Sequence, residues 1–399
     1  KRRAKNRPEA KHIILKSSMR ETKVNKKENK KTTYPHFGAY TKILQEISSQ
    51  AGWEIFAPPS PSKRTIELGV KYMNELMCFP AKVTLSSFIE ACEKGAENLF
   101  MFDSCGQCRL KTYWILQQQV LNKLGYKVKI KPVRLGLNTP KDIRSINPNL
   151  PFLQAWRIFF KIMLAVKRFD QETWDNFDAS QQQDKVTIGV VGEIYTILEP
   201  AVNMDLFEKL KKMGVLAHNS LPLSHFIFKG FYDKGLMTRP DMDNKILKKA
   251  DKIVHHYFPK ETIGGHGKES ILHTIYYALK GFDGVVHILP FPCMPESTVA
   301  PILDAISEDY NLPVLRLIFD EHSGEAGLET RLEAFVDDDA VGQRAELHLD
   351  RRRGESDHAA AEHLRHQPDL VCGAHDADRV GRIGGRVHDV GVGRLHGAH

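Results

Sequence analysis

The segment DGVVHILPFPCMPESTVAPILDAISEDYNLPVLRLIFD, residues 283–320, decides the fold class. It starts with a short apolar run, continues with apolar residues at helical spacing, and ends on a second apolar run. Two such runs joined by a helix are typical of a βαβ unit, in which the strands are parallel. We therefore predict a parallel sheet here, with helices packed on its faces.

The same alternation of strands and helices covers most of the chain. Residues 32–138 show it first, and it begins again at Lys185 with the strand-like KVTIGVVG and continues to residue 337. Residues 139–184, between these stretches, have aromatic and apolar residues at helical spacing and few strand signals. The sequence predicts a first α/β domain (32–138), a helical connection (139–184) and a second α/β domain (185–337).

Both ends of the chain differ from this pattern. Residues 1–31 hold 13 Lys and Arg against three Glu, so they account for more than the whole formal charge of +8. We expect this basic tail to be disordered and to bind no specific nucleic acid. Residues 338–399 contain no Lys, nine Arg and eight of the 18 His, without periodicity. We interpret them as an atypical tail, either disordered or artefactual.

Composition indicates an ordinary globular protein. Hydrophobic residues make up 42% and charged residues 27% of the 399 residues. No apolar run reaches the roughly 18–20 residues of a membrane span, and no signal-peptide pattern is present. Six cysteines without a dense framework suggest a reducing compartment. We therefore expect a cytoplasmic protein that does not bind membranes.

Four cysteines are candidates for a common site. Cys105 and Cys108 lie in DSCGQCRL, residues 103–110, directly after the apolar strand NLFMF. Cys293 follows the first strand of the segment quoted above, and Cys78 follows an apolar Leu-Met pair. Loops at the carboxyl ends of parallel strands line the ligand crevice of an open α/β sheet. We expect the four thiols to meet in such a crevice.

Several chemistries fit these thiols. Thiolates select zinc or iron–sulfur clusters, and structural zinc usually draws two local cysteine pairs. Here one pair is local, while single cysteines lie 27 residues upstream and 185 downstream. A cubane cluster accepts scattered ligands, because each iron needs one thiolate. The pattern favours a cluster but leaves a redox dithiol, a zinc clip and ordinary buried thiols open. Cys92, in an amphipathic helix, is expected to be a structural apolar residue.

Several motifs occur together in an order that resembles one known family. They are YPHFGAY, KRTIELGVKY followed by CFPAKVTL, CGQCR, GEIYTILEP, GGHGKESI, LPFPCMPE and DEHSGEAGLETRLEAF. Residues 32–337 thereby resemble the 2-hydroxyacyl-CoA dehydratase superfamily, and in particular its acyl-CoA dehydratase activase-related module, also called CoA protein activase.

The resemblance implies two flavodoxin-like or Rossmann-like α/β domains with a 4Fe-4S cluster in the crevice between them. The cysteines that match the family positions are Cys78, Cys105, Cys108 and Cys293. In the family, an ATP-dependent activase supplies one low-potential electron, and the dehydratase then removes water from a 2-hydroxyacyl-CoA through a ketyl radical. The implied partners are an activase, an acyl-CoA, and either a second dehydratase-like subunit or a second copy of the chain.

Two departures from the family pattern keep other functions open. The dehydratases pair two different subunits, whereas this is one short chain. The motif GGHGKES lacks the first glycine of GxxxxGK[ST], and GEIY is not GxGxxG, so we expect no ATPase or dinucleotide site. The alternatives are a lyase or reductase component, a non-catalytic cluster-bearing accessory module, and a zinc or dithiol protein.

Acidic residues and one histidine near expected strand ends are weaker candidates for catalysis. Asp320, Glu321 and His322 follow the last expected strand and are acid–base candidates, although Ser323 could simply cap the next helix. Glu193 follows the strand KVTIGVVG and either lines the site or caps a helix.

A glycine-rich turn is a weaker candidate for cofactor binding. Gly264, Gly265 and Gly267 precede a helix and would suit a CoA phosphate as an anion-binding turn. An ordinary loop explains the same glycines.

Overall fold

The computed structural model describes residues 31–49, 55, 58–103, 108–134, 138–146, 149–181, 185–233, 237–258, 263–338, 341, 342 and 344. These residues belong to one compact unit. Cys105, residues 1–30 of the basic tail and nearly all of the expected C-terminal tail lie outside the described residues. In the described part of the chain, no helix combines the length and apolar content that crossing a bilayer requires.

The first sheet has three described strands. They are β1 (Thr32–Thr33), β2 (Asn98–Asp103) and β3 (Lys129–Arg134). All pairs are parallel, in the order β1-β2-β3. Thr32 also forms a parallel bridge with Ile55. The parallel sheet predicted for this part of the chain is therefore confirmed.

The second sheet has four described strands, and it is also parallel throughout. They are β4 (Thr187–Gly192), β5 (Leu216–Asn219), β6 (Gly284–Pro290) and β7 (Val314–Phe319). Their order is β5-β4-β6-β7. Every residue of β4 and β6 is buried, as expected for central strands with both faces covered. The order reverses between β4 and β6, where a ligand crevice opens in sheets of this kind.

The two sheets share one strand order. Counting the bridge at Ile55 as the outer position of the first sheet gives Ile55-β1-β2-β3, which matches β5-β4-β6-β7. In this correspondence β2 is equivalent to β6. The loop that contains Cys108 follows β2, and the loop that contains Cys293 follows β6. Equivalent connections of the two sheets therefore each contribute a thiol.

Helices cover both sheets. In the first half they are α1 (Tyr40–Ser49), α2 (Lys63–Tyr72), α3 (Phe79–Glu93), a 3₁₀ helix (Arg109–Thr112) that runs into α4 (Tyr113–Lys123), α5 (Thr139–Ile146) and α6 (Phe152–Gln181). In the second half they are α7 (Ile194–Leu198), α8 (Pro200–Asn203), α9 (Leu206–Lys212), α10 (Leu223–Asp233), α11 (Asn244–Tyr257), α12 (Gly267–Lys280), α13 (Met294–Asp309) and α14 (Glu325–Val336). The stretch between the sheets, expected to be mostly helical, consists of α5 and α6.

One apolar cluster joins the two sheets. It includes side chains from β2, β4, β6 and β7. The ring of Phe37, just after β1, lies 4.8 Å from the ring of Phe102 and 5.3 Å from that of Tyr195 on α7. Phe37 therefore packs between an element of the first half and an element of the second. Contacts also continue past the expected boundary at residue 337, since Val341 is buried.

Candidate cysteine centre

Three cysteines of the candidate set begin helices. Cys78 is the N-cap residue of α3, Cys108 that of the 3₁₀ helix before α4, and Cys293 that of α13. All three have extended backbone conformations, and Pro80 and Pro295 occupy the first turns of α3 and α13. The partial positive charge of a helix N-terminus favours a thiolate at this position. We call Cys78, Cys108 and Cys293 the cysteine centre.

The three residues of the cysteine centre are neighbours. The backbone N–H of Phe79 donates to the carbonyl of Phe291 at 2.9 Å, which joins the loop of Cys78 to the loop of Cys293. A Cβ built at Gly265 would lie 3.7 Å from Cys108 Cβ and 3.0 Å from Pro295 Cγ. The thiols also act on one another electrostatically. Cys78, Cys108 and Cys293 therefore lie near one another, and Cys105 lies outside the described residues.

Burial keeps the thiols of the metal-free chain protonated. It raises the pKa of Cys78 to about 12, although a hydrogen bond with the Tyr113 hydroxyl opposes the shift. Burial likewise raises the pKa of Cys108 to about 11 and that of Cys293 well above its usual value. A redox dithiol attacks as a thiolate and needs a low pKa. The environment of these three thiols does not favour that chemistry, whereas metal binding can displace the protons.

Glu193 lies at the reversal point of the second sheet and faces the cysteine centre. Its carboxylate caps α7, accepting hydrogen bonds from the backbone N–H groups of Tyr195 at 3.0 Å and Thr196 at 2.9 Å. Burial raises the pKa of Glu193, and the charge of His266 opposes that shift. Its charge acts on all three thiols. Glu193 is thus both a helix cap and a neighbour of the site.

The expected glycine turn is explained by close packing. Gly265 has a left-handed φ of +63°, which favours glycine. A Cβ at Gly267 would lie 2.6 Å from Ile263 Cγ2 and 3.1 Å from Val299 Cγ1. The start of α12 therefore lies closer to α13 than a side chain at position 267 would allow. Gly264 lies half-buried in the same turn.

The three acid–base candidates after β7 are engaged in local contacts or exposed. Asp320 Oδ1 accepts hydrogen bonds at 2.9 Å from the backbone N–H of His322 and from Ser323 Oγ, and so closes the turn after β7. Glu321 forms an ion pair of 2.5 Å with the buried Lys82 on α3. His322 is exposed. Ser323 is not the helix cap, because α14 begins after Gly324.

Sequence reasoning missed a buried polar group beneath Cys293. Glu296, three residues after Cys293 in the first turn of α13, accepts from Ser270 Oγ at 2.8 Å and lies 3.0 Å from His287 Nε2. Both Glu296 and His287 are almost fully buried. Among the described residues, Glu296 Oε1 and His287 Nδ1 have no hydrogen-bond partner. The sequence signal for this buried carboxylate is a glutamate three residues after Cys293, at the third position of the helix, where acidic side chains often cap a helix.

A small apolar cavity lies beside the cysteine centre. It has a volume of about 30 Å³ and is lined by side chains from both halves, among them Phe102, Tyr113 and Tyr195. That volume suits a group of about the size of a methyl or one water molecule. The cavity is too small to hold an acyl chain in this conformation.

The described donors do not form a site for a single metal ion. Within the described residues, no group of three or more His, Cys, Asp or Glu side chains is placed to hold one metal ion. A single ion needs all its donors at one point, whereas the thiolates of a cubane would each bind a different iron. The described part of the set, three thiols at helix N-termini, fits such a cluster in its chemistry. Cys92 does not belong to it; this residue is partly buried on α3 against an apolar cluster.

Comparison with known proteins adds no family assignment. No protein-family model matches the chain, and no curated protein matches it.

Proposed function

We propose that the protein is a 4Fe-4S protein related to the subunits of 2-hydroxyacyl-CoA dehydratases. In this proposal it takes low-potential electrons from an ATP-dependent activase for the dehydration or reduction of an acyl-CoA-type substrate. Its two sheets would then be flavodoxin-like domains, and its compartment the cytoplasm. The observation that carries the proposal is the arrangement of Cys78, Cys108 and Cys293 at neighbouring helix N-termini, contributed by both halves of the fold.

The ligands would be Cys78, Cys105, Cys108 and Cys293. A bound cluster would supply one-electron chemistry at low potential. Arg109 and the helix N-termini would favour the thiolates of Cys78 and Cys108, against the larger effect of burial. Tyr113 would hold the sulfur of Cys78 through its hydroxyl. Hydrogen bonds to ligand sulfurs are among the factors that set a cluster potential.

Glu193 and Glu296 would disfavour the thiolates of Cys108 and Cys293. Each raises the pKa of Cys108 and Cys293. Their negative charges next to the thiolates would disfavour the addition of an electron and so lower the reduction potential. A low potential is what a site that reduces an acyl-CoA requires.

Metal and sulfide analysis tests the proposal. The full chain, purified without oxygen, should be brown and contain about four irons and four acid-labile sulfides, and dithionite should bleach its visible absorption. A colourless protein with stoichiometric zinc would support the zinc clip. A metal-free protein with reactive thiols would support the dithiol. Either result would overturn the cluster.

A second experiment separates the catalytic role from the accessory role. Cluster-loaded protein is incubated with an activase of this superfamily, ATP and 2-hydroxyacyl-CoA esters. Formation of the enoyl-CoA supports a lyase. If the activase reduces the cluster and no ester is converted, the chain is an accessory electron-transfer module.

A further inference from the structure

A larger cavity shares no lining residue with the one beside the cysteine centre, and the proposed function does not use it. It has a volume of about 230 Å³ and lies between α6, β5, the loop before α11 and the end of α12. We call it the second cavity. This volume is below that of sites for drug-sized ligands, so it suits a small organic molecule. Its lining includes Phe177, Asp178, His218, Asp243, Lys280 and Phe282.

One wall of the second cavity is aromatic. The rings of Phe177 and Phe282 are nearly parallel, and their centroids lie 6.2 Å apart. The ring of His218 stands edge-on to both, at 5.0 Å from Phe177 and 6.1 Å from Phe282. Phe282 is buried, and Phe177 is partly buried on α6. A wall of this kind binds an apolar group.

His218 also brings an unsatisfied polar atom to the second cavity. Its side chain is 4% exposed, and its Nδ1 shares a hydrogen bond of 2.8 Å with the Tyr277 hydroxyl. Within the described residues Nε2 has no hydrogen bond, because Asp241 Oδ2 lies 3.8 Å away. Burial lowers the pKa of His218 to about 4, so the ring is neutral at pH 7. A buried ring nitrogen without a partner indicates that a ligand or a water molecule satisfies it.

Exposed charges of both signs stand around the second cavity. Asp178 on α6, Asp243 before α11 and Lys280 at the end of α12 all line it and are all exposed. The charge of Lys280 lowers the pKa of both Asp178 and Asp243, although burial has the larger effect on Asp178 and raises its pKa. One ammonium therefore lies within electrostatic range of two carboxylates.

The charges behind these three groups cancel. The Asp241 side chain also lines the cavity, but it is fully buried and paired with the guanidinium of Arg239. Asp175 acts on Asp178 and Lys245 acts on Asp243, with opposite signs. The second cavity thus presents two carboxylates, one ammonium and a neutral imidazole to a ligand.

This combination selects among small ligands by charge. An anion would be repelled by the two carboxylates, and a simple cation would be repelled by Lys280. An uncharged molecule would use neither sign. A ligand that carries an ammonium and a carboxylate on neighbouring atoms is attracted by both, and its apolar part can lie against the aromatic wall.

We propose that the second cavity binds a free α-amino acid with an apolar side chain. The ammonium of the ligand pairs with Asp178 and Asp243, and its carboxylate pairs with Lys280. Its side chain lies against the rings of Phe177 and Phe282, and His218 Nε2 gains the hydrogen bond that it lacks. The proposal does not depend on a cluster at the cysteine centre, so either can fail without the other.

Titration calorimetry on the full chain tests the proposal. The probe is L-phenylalanine, with phenethylamine as the analogue without a carboxylate and 3-phenylpropionate as the analogue without an ammonium. L-Phenylalanine should bind with a Kd of about 1 mM or tighter, and about tenfold more tightly than either analogue. Glycine, which has both charges but no side chain, should bind at least about tenfold more weakly than L-phenylalanine.

Two exposed substitutions assign the charges. Lys280→Met should weaken L-phenylalanine about fivefold and leave phenethylamine as tight or tighter, because only the carboxylate loses its partner. Asp178→Asn should weaken both ligands about fivefold, because both carry the ammonium. The matched controls are Lys249→Met on α11 and Asp175→Asn on α6, exposed positions that do not line the second cavity. Both controls should bind as the unmodified protein does.

Four results would overturn the proposal. They are the absence of binding by L-phenylalanine, equal affinity for L-phenylalanine and phenethylamine, equal losses in the cavity variants and their controls, and full affinity in both cavity variants. The second result would indicate a site for simple cations, and the last would place the ligand elsewhere on the chain.

Discussion

The backbone N–H of Phe79 donates to the carbonyl oxygen of Phe291 at 2.9 Å. The donor belongs to the first turn of α3, in the first half of the chain, and the acceptor follows β6 in the second half. The bond thus fixes the start of α3, which Cys78 caps, against the loop that ends at Cys293. Because it uses only backbone atoms, it does not depend on the side chain at either position.

Replacing single cysteines should separate ligands from structural thiols. In Cys105→Ser or Cys108→Ser, iron content should fall from about four per chain to a small fraction, because serine is a poor ligand for a soft metal centre. Cys92→Ser is the control, since Cys92 lies on α3 within an apolar cluster. Its iron content should remain unchanged. Equal iron in the three variants would refute the ligand assignment.

The hydroxyl of Tyr113 should influence both stability and redox behaviour. It hydrogen-bonds Cys78 Sγ in a buried site. Tyr113→Phe should lower the free energy of unfolding of the metal-free protein by about 1 kcal/mol, because the ring stays and the bond is lost. In cluster-loaded protein the same change should make the potential more negative, since a hydrogen bond to a ligand sulfur favours the reduced state. Denaturant titration and potentiometry measure the two effects.

Tyr195→Phe is the matched control for that change. Tyr195 is also buried, and within the described residues its hydroxyl has no hydrogen-bond partner. Removing an unpaired buried hydroxyl should leave stability unchanged or raise it. If Tyr195→Phe destabilises the protein as much as Tyr113→Phe, the hydrogen bond to Cys78 contributes nothing specific.

The sequence predicts the central strands and the cysteine loops better than the edges. Strands β4 and β6 are continuous apolar runs, so their burial and parallel pairing follow from composition alone. Strand β5 has only four residues, and β3 contains Pro132, so neither shows a clear strand pattern. Helix α3, the amphipathic helix expected around Cys92, already begins at Phe79, and Pro80 lies in its first turn.

The site is only partly visible in the sequence. Positions after expected strands identify Cys108, Cys293 and Glu193, because the carboxyl ends of parallel strands lie at one edge. Cys78 follows no strand, and its place depends on a backbone contact with the other half. Tyr113 reaches Cys78 across 35 residues. Such contacts arise from the packing of α3 against α4, which no local pattern reports.

Gly192 should tolerate no side chain. It ends β4 with φ +135°, and a Cβ there would lie 2.0 Å from the carbonyl oxygen of Ile288 on β6. This close approach lets the next residue, Glu193, donate its backbone N–H to that oxygen at 3.2 Å. Gly192→Ala should therefore cost about 3 kcal/mol or more of stability, since backbone must move away from backbone. Thermal or denaturant unfolding measures the loss.

Gly214→Ala isolates the contribution of backbone conformation. Gly214 also has a left-handed φ, +82°, but a Cβ there would meet no atom within 4 Å. Only conformational strain remains, which costs about 1 kcal/mol. If Gly192→Ala and Gly214→Ala destabilise the protein equally, the close approach of β4 to Ile288 is not limiting.

Buried histidines should make the protein less stable in mild acid. Burial lowers the pKa of His218 to about 4, and burial and then the charge of Arg239 lower the pKa values of His225 and His273 well below the usual value. In the unfolded chain each has a pKa of about 6.5. Below that pH the unfolded state binds more protons, so these groups contribute fully above pH 6.5 and their contribution falls as the pH decreases. As the pH falls below 6.5, each of these histidines should lower the free energy of unfolding by up to about 1.4 kcal/mol per pH unit.

A substitution at His225 tests this explanation directly. Its ring lies 5.9 Å from the Tyr232 ring in a stacked arrangement, and within the described residues neither ring nitrogen has a hydrogen-bond partner. His225→Phe should keep the packing and remove one titrating group. The loss of unfolding free energy between pH 6.5 and 5.5 should then shrink by about 1 kcal/mol. His256→Asn, at an exposed position on α11, is the matched control substitution. If both variants lose stability with pH as the unmodified protein does, His225 is not titrating in this range, and the acid sensitivity has another origin.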